Sequence, residues 1–321
     1  MKTTEFSSIH CGRAIAGVLL IIALTATAQA QVAFDDSFAD GDAAQTGALD
    51  TSWWTSSSSS GLEISTGSLG LVTGTSGRGI HTVFTPQALT NIGDTLTATY
   101  TFTTPDSIEP DDPNGSSSSF RVGLFNSLDR ADLNATVPAS SSSPNDLYGN
   151  AESGTIGLPG FMLDMDVNTG DAADLNFRMH DINASSGRLL ATTGGFNNLS
   201  SGPDAGYEFQ PNTEYVGSFS ITLESATTLA LTGTLLGGDD AVRFQLDAVD
   251  TPLFPGDTPS FDLLGFHVNS RVFGSTNEQG VPDNGIDFSN IRVELTAVPE
   301  PSSVSLLAMS LLGLLGLRKR K

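Results

Sequence analysis

The chain has one cysteine, few cations over most of its length, and almost no apolar spacing of helical period between its two ends. The cysteine is Cys11, near the start of 321 residues, so no disulfide framework, thiolate metal cluster or CxxC redox pair is available. Lysine and arginine number 14 against 36 aspartate and glutamate, a formal net charge of −22. A surface of that sign repels nucleic acid and anionic lipid headgroups, and nucleic acid is excluded as a partner. It suits cations or neutral glycans, and acidity alone also keeps an exported protein soluble and monomeric. The chain also lacks a Ser-His-Asp set, a P-loop and a dinucleotide fingerprint.

Both ends carry organised apolar segments. At the start, Lys2 and Arg13 flank a basic stretch, Ala14 to Leu24 is an uncharged apolar run, and Ala28-Gln29-Ala30 has the A-x-A form of a signal-peptidase site. Residues 1–30 therefore read as a signal peptide, with Ala28 and Ala30 at the cleavage site and Gln31 as the mature start. Cys11 precedes the apolar run and is not placed for lipidation.

At the other end, residues 298–321 read Pro299-Glu300-Pro301, an apolar run from Ser302 to Leu317, and the cluster Arg318, Lys319, Arg320, Lys321. As a helix those 16 residues extend ~24 Å, a little short of the ~30 Å hydrocarbon core of a bilayer, so the run spans with thinning or with its flanks drawn in. The four cations stay on the cytoplasmic side and stop transfer, which leaves the rest of the chain outside. The prolines block helix propagation upstream and hold Glu300 in an extended, accessible peptide.

This order resembles the PEP-CTERM sorting signal of Gram-negative and related bacteria, the substrate of exosortases, which are membrane-embedded and cysteine transpeptidase-like. The resemblance covers Val298 to Lys321 alone. It implies export, a precursor held transiently in the cytoplasmic membrane by helix 302–317, and an exosortase-type partner that cleaves near Pro299-Glu300-Pro301. It also implies delivery to the cell surface or extracellular matrix, in association with exopolysaccharide.

Between the signals lie residues 31–297, 267 residues that suffice for one large core. Setting aside Lys2, Arg13, Glu5, Glu300 and the four terminal cations leaves 8 basic and 34 acidic residues, net −26. Thr95 to Thr103 alternates Leu96, Ala98, Tyr100 and Phe102 with threonines, as a half-buried strand requires. Similar alternation runs through Phe120-Val122-Leu124, Phe161-Leu163-Met165-Val167, Leu175-Phe177-Met179, Phe219-Ile221-Leu223 and Val242-Phe244-Leu246. The last run, Ile286 to Leu295, changes phase at Ser289-Asn290, which predicts a β-bulge. Loops are expected at Thr90–Asp94, Gly237–Asp240 and Asn277–Asn284, and at the serine tracts Ser56–Ser60, Ser116–Ser119 and Ser140–Ser143, which cannot bury surface.

The pattern predicts an all-β body: a two-sheet jelly-roll sandwich of about a dozen strands. It resembles the concanavalin A-like lectin/glucanase sandwich in its opening Phe34-Asp35-Asp36-Ser37-Phe38, in Trp53-Trp54, in Phe120–Phe125 and in the closing Ile286–Ile291.

Glucanases of that fold need Glu-x-Asp-x-x-Glu on one strand, so that acid and nucleophile share a face. The motif is absent, and no catalytic residue is expected. Lectins of the fold hold metals with acid-x-acid, Asn, Asp and His. Asp164, Asp166 and His180 fall at matching offsets, whereas Gly170 replaces the Asn and Asp174 is one residue early, with Leu175 in its place. A metal of that type is not expected. A looser calcium set from Asp164, Asp166, Asn168 and Asp171 is chemically reasonable. Its alternative is a hairpin in which Asp164 and Asp166 share a face with Asn176, Arg178 and His180, with Asp164 and Arg178 as a surface ion pair worth ~0–1 kcal/mol.

Trp53 and Trp54 must point to opposite faces, one into the core and one at best partly exposed to a glycan. His81 and His267 sit in strand-like runs and join no catalytic or metal motif. The expectation is an exported, non-enzymatic surface or matrix protein, with a glycan-binding module as the alternative and a glycoside hydrolase behind it.

Overall fold

A computed structural model describes residues 29–42, 44–55, 62–71, 78–106, 108, 119–129, 158–166, 175–180, 190, 195–201, 209–237, 242–250, 258–268 and 285–299. One compact unit spans Ala28–Val298. The second comprises Met1–Thr27 with Pro299–Lys321, of which only Pro299 is described. The apolar run Ser302–Leu317, Glu300, Pro301, the terminal cations and the signal-peptide run lie outside the described residues. Among the described residues no helix is long and apolar enough to cross a membrane.

Fifteen strands are described: β1 (Gln29–Asp36), β2 (Trp54–Thr55), β3 (Leu62–Ser65), β4 (Ser68–Leu71), β5 (Arg78–Ala88), β6 (Thr95–Thr103), β7 (Ser119–Phe125), β8 (Gly160–Asp166), β9 (Leu175–His180), β10 (Phe196–Ser201), β11 (Glu214–Ser225), β12 (Thr228–Leu236), β13 (Val242–Asp250), β14 (Ser260–Val268) and β15 (Ile286–Ala297). All pairings are antiparallel, and they form two sheets. The first runs β13-β12-β11-β6-β15-β4-β3 with β1 also on β15; the second runs β10-β9-β8-β7-β14-β5-β2.

Period two explains the first sheet. Leu96, Ala98, Tyr100 and Phe102 of β6 are fully buried, while the outward threonines bond across strands: Thr97 to Ser220 at 2.9 Å and Thr95 to Thr222 at 2.9 Å. Such hydroxyl pairs stabilise a ladder by a few tenths of a kcal/mol to about 1 kcal/mol each. The expected bulge is present, because the register of β15 on β6 shifts between Phe288 and Asn290. It brings Phe288 and Ile291 alike to the core.

The core between the sheets is aromatic. Phe102 and Phe120 lie 5.2 Å apart, Phe266 and Phe288 4.8 Å, and Tyr100 and Phe266 5.2 Å between ring centroids. Tyr100 is so enclosed that a Cβ on Gly217 would come 2.2 Å from its ring, which is why β11 carries glycine there. Burial pushes the Tyr100 phenol above its ordinary range.

The second sheet departs from simple alternation, because its outer face is covered as well. Phe125, Leu158, Met162, Leu190 and Leu263 form a second apolar cluster on that face. β7 and β14 are consequently buried almost throughout. Ser119 opens β7 and is buried, so the tract Ser116–Ser119 does not end in a solvated loop as expected; the other two serine tracts lie outside the described residues.

Candidate functional site

A polar row crosses the outer face of the second sheet. Register places His267 of β14 opposite Arg121 of β7, Arg121 opposite Asp164 of β8, and Asp164 opposite Asn176 of β9. Arg121 is 3% exposed. Its Nε donates to Asp164 Oδ1 (2.8 Å), its Nη1 to the Leu190 carbonyl (2.9 Å) and its Nη2 to Ser119 Oγ (3.0 Å). Arg178 Nε donates to the other oxygen of Asp164 at 3.0 Å. His180 Nδ1 lies 2.6 Å from the Leu158 carbonyl.

The hairpin reading of Asp164 and Arg178 holds in partner and face, and the surface character does not. The Asp164 side chain is 6% exposed and answers two guanidinium groups. The missed partner is Arg121, 43 residues upstream, which only strand pairing brings in. Asp164 does not fit a calcium ligand in this arrangement, since a divalent cation there would face two arginines already bonded to both oxygens. The side chain of Asp166 is not described, and Asn168 and Asp171 lie outside the described residues.

The tryptophans do point to opposite faces. Trp53 enters the core beside Phe34 and Phe38. Trp54 is only 5% exposed, against the expected partial exposure, and stacks on His81 with centroids 5.7 Å apart. Burial lowers the His81 pKa to about 3. A cleft of about 490 Å³ lies beside Trp54, lined also by Gln45, Asp50, Thr51, Ser52 and Phe84.

Asp36 accepts the Phe38 amide at 2.8 Å and the Trp53 indole N–H at 2.8 Å. Burial, aided by the charge of Asp50, raises the Asp36 pKa to about 6 against the pull of those two donors. The folded state thus holds this proton more tightly than the unfolded chain does. The stabilisation is fully present below the ordinary carboxylate range and is lost as pH rises through about 6. The melting temperature is expected to rise as pH falls from about 7.5 to about 5. Asp36→Asn should flatten that slope, and an unchanged slope would refute the assignment.

The third feature is the exit of the chain toward its C-terminus. Val298 donates its N–H to Asp94 Oδ1 at 2.8 Å, across 204 positions of sequence. Asp94 Oδ2 accepts the amides of Thr90 (2.9 Å) and Asn91 (2.8 Å). Burial opposes ionisation of this carboxyl, yet the donors around it hold its pKa below the ordinary value. Pro299, the next residue, has no N–H with which to extend the ladder. Beside it, β1 includes Gln29 and Ala30, paired with Ala297 and Thr296. Cleavage after Ala30 would therefore shorten β1 to Gln31–Asp36 and leave its pairing from Gln31↔Leu295 onward.

Residues 297–321 match the PEP-CTERM protein-sorting motif. The chain thus carries the sorting signal of an exported protein. Comparison with curated proteins finds no match. Among solved structures, the lectin UEA-II complexed with galactose is 11% identical and covers 83% of this chain and 100% of its own, with a TM-score of 0.43. A double mutant of the alginate lyase Aly36B, in complex with alginate trisaccharide, is 12% identical over 83% and 98%, with a TM-score of 0.41. The VIP36 exoplasmic/lumenal domain in its Ca2+/Man-bound form is 8% identical over 85% and 94%, with a TM-score of 0.45. At such values the likeness is one of sandwich architecture and carries nothing about ligand or chemistry.

Proposed function

We propose that this is a non-enzymatic surface or matrix protein: a β-sandwich exported as a membrane-held precursor, released by an exosortase-type processing protein, and associated with exopolysaccharide. The observation that carries the reading is the sorting motif joined directly to β15, whose last residue is Ala297. The body supports a non-catalytic role. Both oxygens of Asp164, the carboxylate in the polar row on the outer sheet face, are taken by arginines. Neither is left to protonate a glycosidic oxygen or to attack a sugar. The net −26 of residues 31–297 favours a neutral polysaccharide over a polyanionic one.

A second reading, glycan binding, is favoured by the cleft beside Trp54. Its volume is that of a small-ligand site, and Gln45, Asp50, Thr51 and Ser52 supply hydrogen-bonding groups there. The test is to locate the processed protein in the native host and to screen it against neutral and acidic glycans. Surface localisation with retention in the polysaccharide matrix, and without saturable binding of short oligosaccharides, is expected. Saturable binding that is lost in Gln45→Ala would establish the second reading. Turnover of a β-glucan that is lost in a folded Asp164→Asn variant would overturn the non-enzymatic one.

A further inference from the structure

The corner from which the chain leaves the body is apolar and without slack. The Asp94 carboxylate, 1% exposed, fixes the amide of Val298 to the Thr90–Asp94 turn. Gly93 has φ +95°, and a Cβ there would come 2.7 Å from Val298 Cγ2, so the valine lies directly on the turn. Beside it Ile92 is 63% exposed and Val298 38%, two of the four exposed large hydrophobic residues among those described. The first strand begins at the same corner, since Gln29 is the register partner of Ala297.

We infer that Ile92 and Val298 form a seat for this corner in the lipid–water interface of the membrane. The inference rests on the reading that Ser302–Leu317 inserts. Four Cα steps separate Val298 from Ser302, a reach of at most about 14 Å. The headgroup layer of one leaflet takes up about 5–8 Å of that. Because Asp94 holds Val298 on the body, the reach from the corner to the apolar run is limited to those four steps. The apolar run is also ~6 Å shorter than the hydrocarbon core, a mismatch that is relieved by drawing flanking residues into the interface. Two exposed apolar side chains at the point of entry extend the apolar surface where that deficit falls. Thr90 to Gly93 carry no charge, the carboxylate of Asp94 that closes the turn is buried, and the acidic body repels anionic headgroups, so the surface this corner fits is a zwitterionic one.

The test uses residues 31–321, which contain no cysteine, reconstituted in phosphatidylcholine vesicles containing spin-labelled lipids. An environment-sensitive fluorophore is placed at Thr90→Cys, at Asn212→Cys or at Leu311→Cys. The label at 90 is expected to shift to the blue and to be quenched by shallow spin labels, and Ile92→Glu should abolish both effects. The label at 212, at the far end of β6 and β11, should show neither. Deep quenching at 311 without quenching at 90 overturns the inference and leaves the anchor standing. No quenching at 311 removes the anchor itself. Quenching at 90 that appears only when the processing protein is also in the vesicle assigns the corner to that protein and overturns the lipid seat.

Discussion

Replacing Asp164 with alanine is expected to destabilise the body by about 3–5 kcal/mol, the cost of leaving buried charge without its partner. The carboxylate lies between Arg121 Nε at 2.8 Å and Arg178 Nε at 3.0 Å. Arg121 is the group that cannot escape. Its guanidinium is also tied to the Leu190 carbonyl and to Ser119, under an apolar cluster that includes Leu190. Both Arg121 and Asp164 are buried, so water is a poor substitute for the lost carboxylate. Arg178, with 19% of its side chain exposed, can turn outward, so Arg178→Ala should cost far less. Replacing Arg121 and Asp164 together by Met and Leu should recover most of the loss, since an apolar pair of similar volume needs no counter-charge. Denaturant unfolding of the wild type and the three variants measures each effect. A loss below about 1 kcal/mol for Asp164→Ala would match an exposed ion pair and refute the buried arrangement.

Glu300→Ala is expected to leave the precursor inserted and uncleaved, an all-or-none effect on maturation with no change in the stability of the sandwich. The apolar run Ser302–Leu317 is untouched by the substitution, whereas the peptide between the two prolines loses its only charge. Neutralising Arg318, Lys319, Arg320 and Lys321 should act differently. Without the stop-transfer cations, orientation is lost and the protein is mis-sorted, again without effect on the fold. Mass spectrometry of the mature C-terminus in the native host distinguishes the two variants from each other and from the wild type. An intact Lys321 on wild-type protein at the surface would eliminate processing and reduce the tail to a plain anchor.

Where one face of a strand meets the core and the other meets water, the sequence was sufficient. β6 runs over Thr95–Thr103 as its alternation predicts, and the phase change at Ser289-Asn290 marked the bulge in β15. The sorting motif at residues 297–321 was legible for a similar reason: it is local and linear, read from consecutive residues. Strands buried on both faces were harder. Phe261 to Val268 has no clean period two, because the second apolar cluster covers the outer side of β14. β10, Phe196-Asn197-Asn198-Leu199-Ser200-Ser201, is polar enough to pass for a loop, and it is held by pairing to β9 and by Phe196 packing 4.8 Å from the His180 ring.

The candidate sites divide along the same line. Composition and order in the chain by themselves determined an acidic, cysteine-free, all-β body followed by a sorting motif, since charge, periodicity and apolar length are sums over neighbouring residues. Only the tertiary structure decided what the polar residues do. Asp164 was a candidate metal ligand or surface partner until strand register placed Arg121 beside it and both were buried. Trp54 was a candidate stacking platform until β5 brought His81 against its ring. Asp94 read as a turn residue, and it became the clamp on Val298 only when β6 and β15 lay side by side. In each case the deciding partner is far away in sequence, and its effect depends on burial, which strengthens a charge contact severalfold and which no local pattern records.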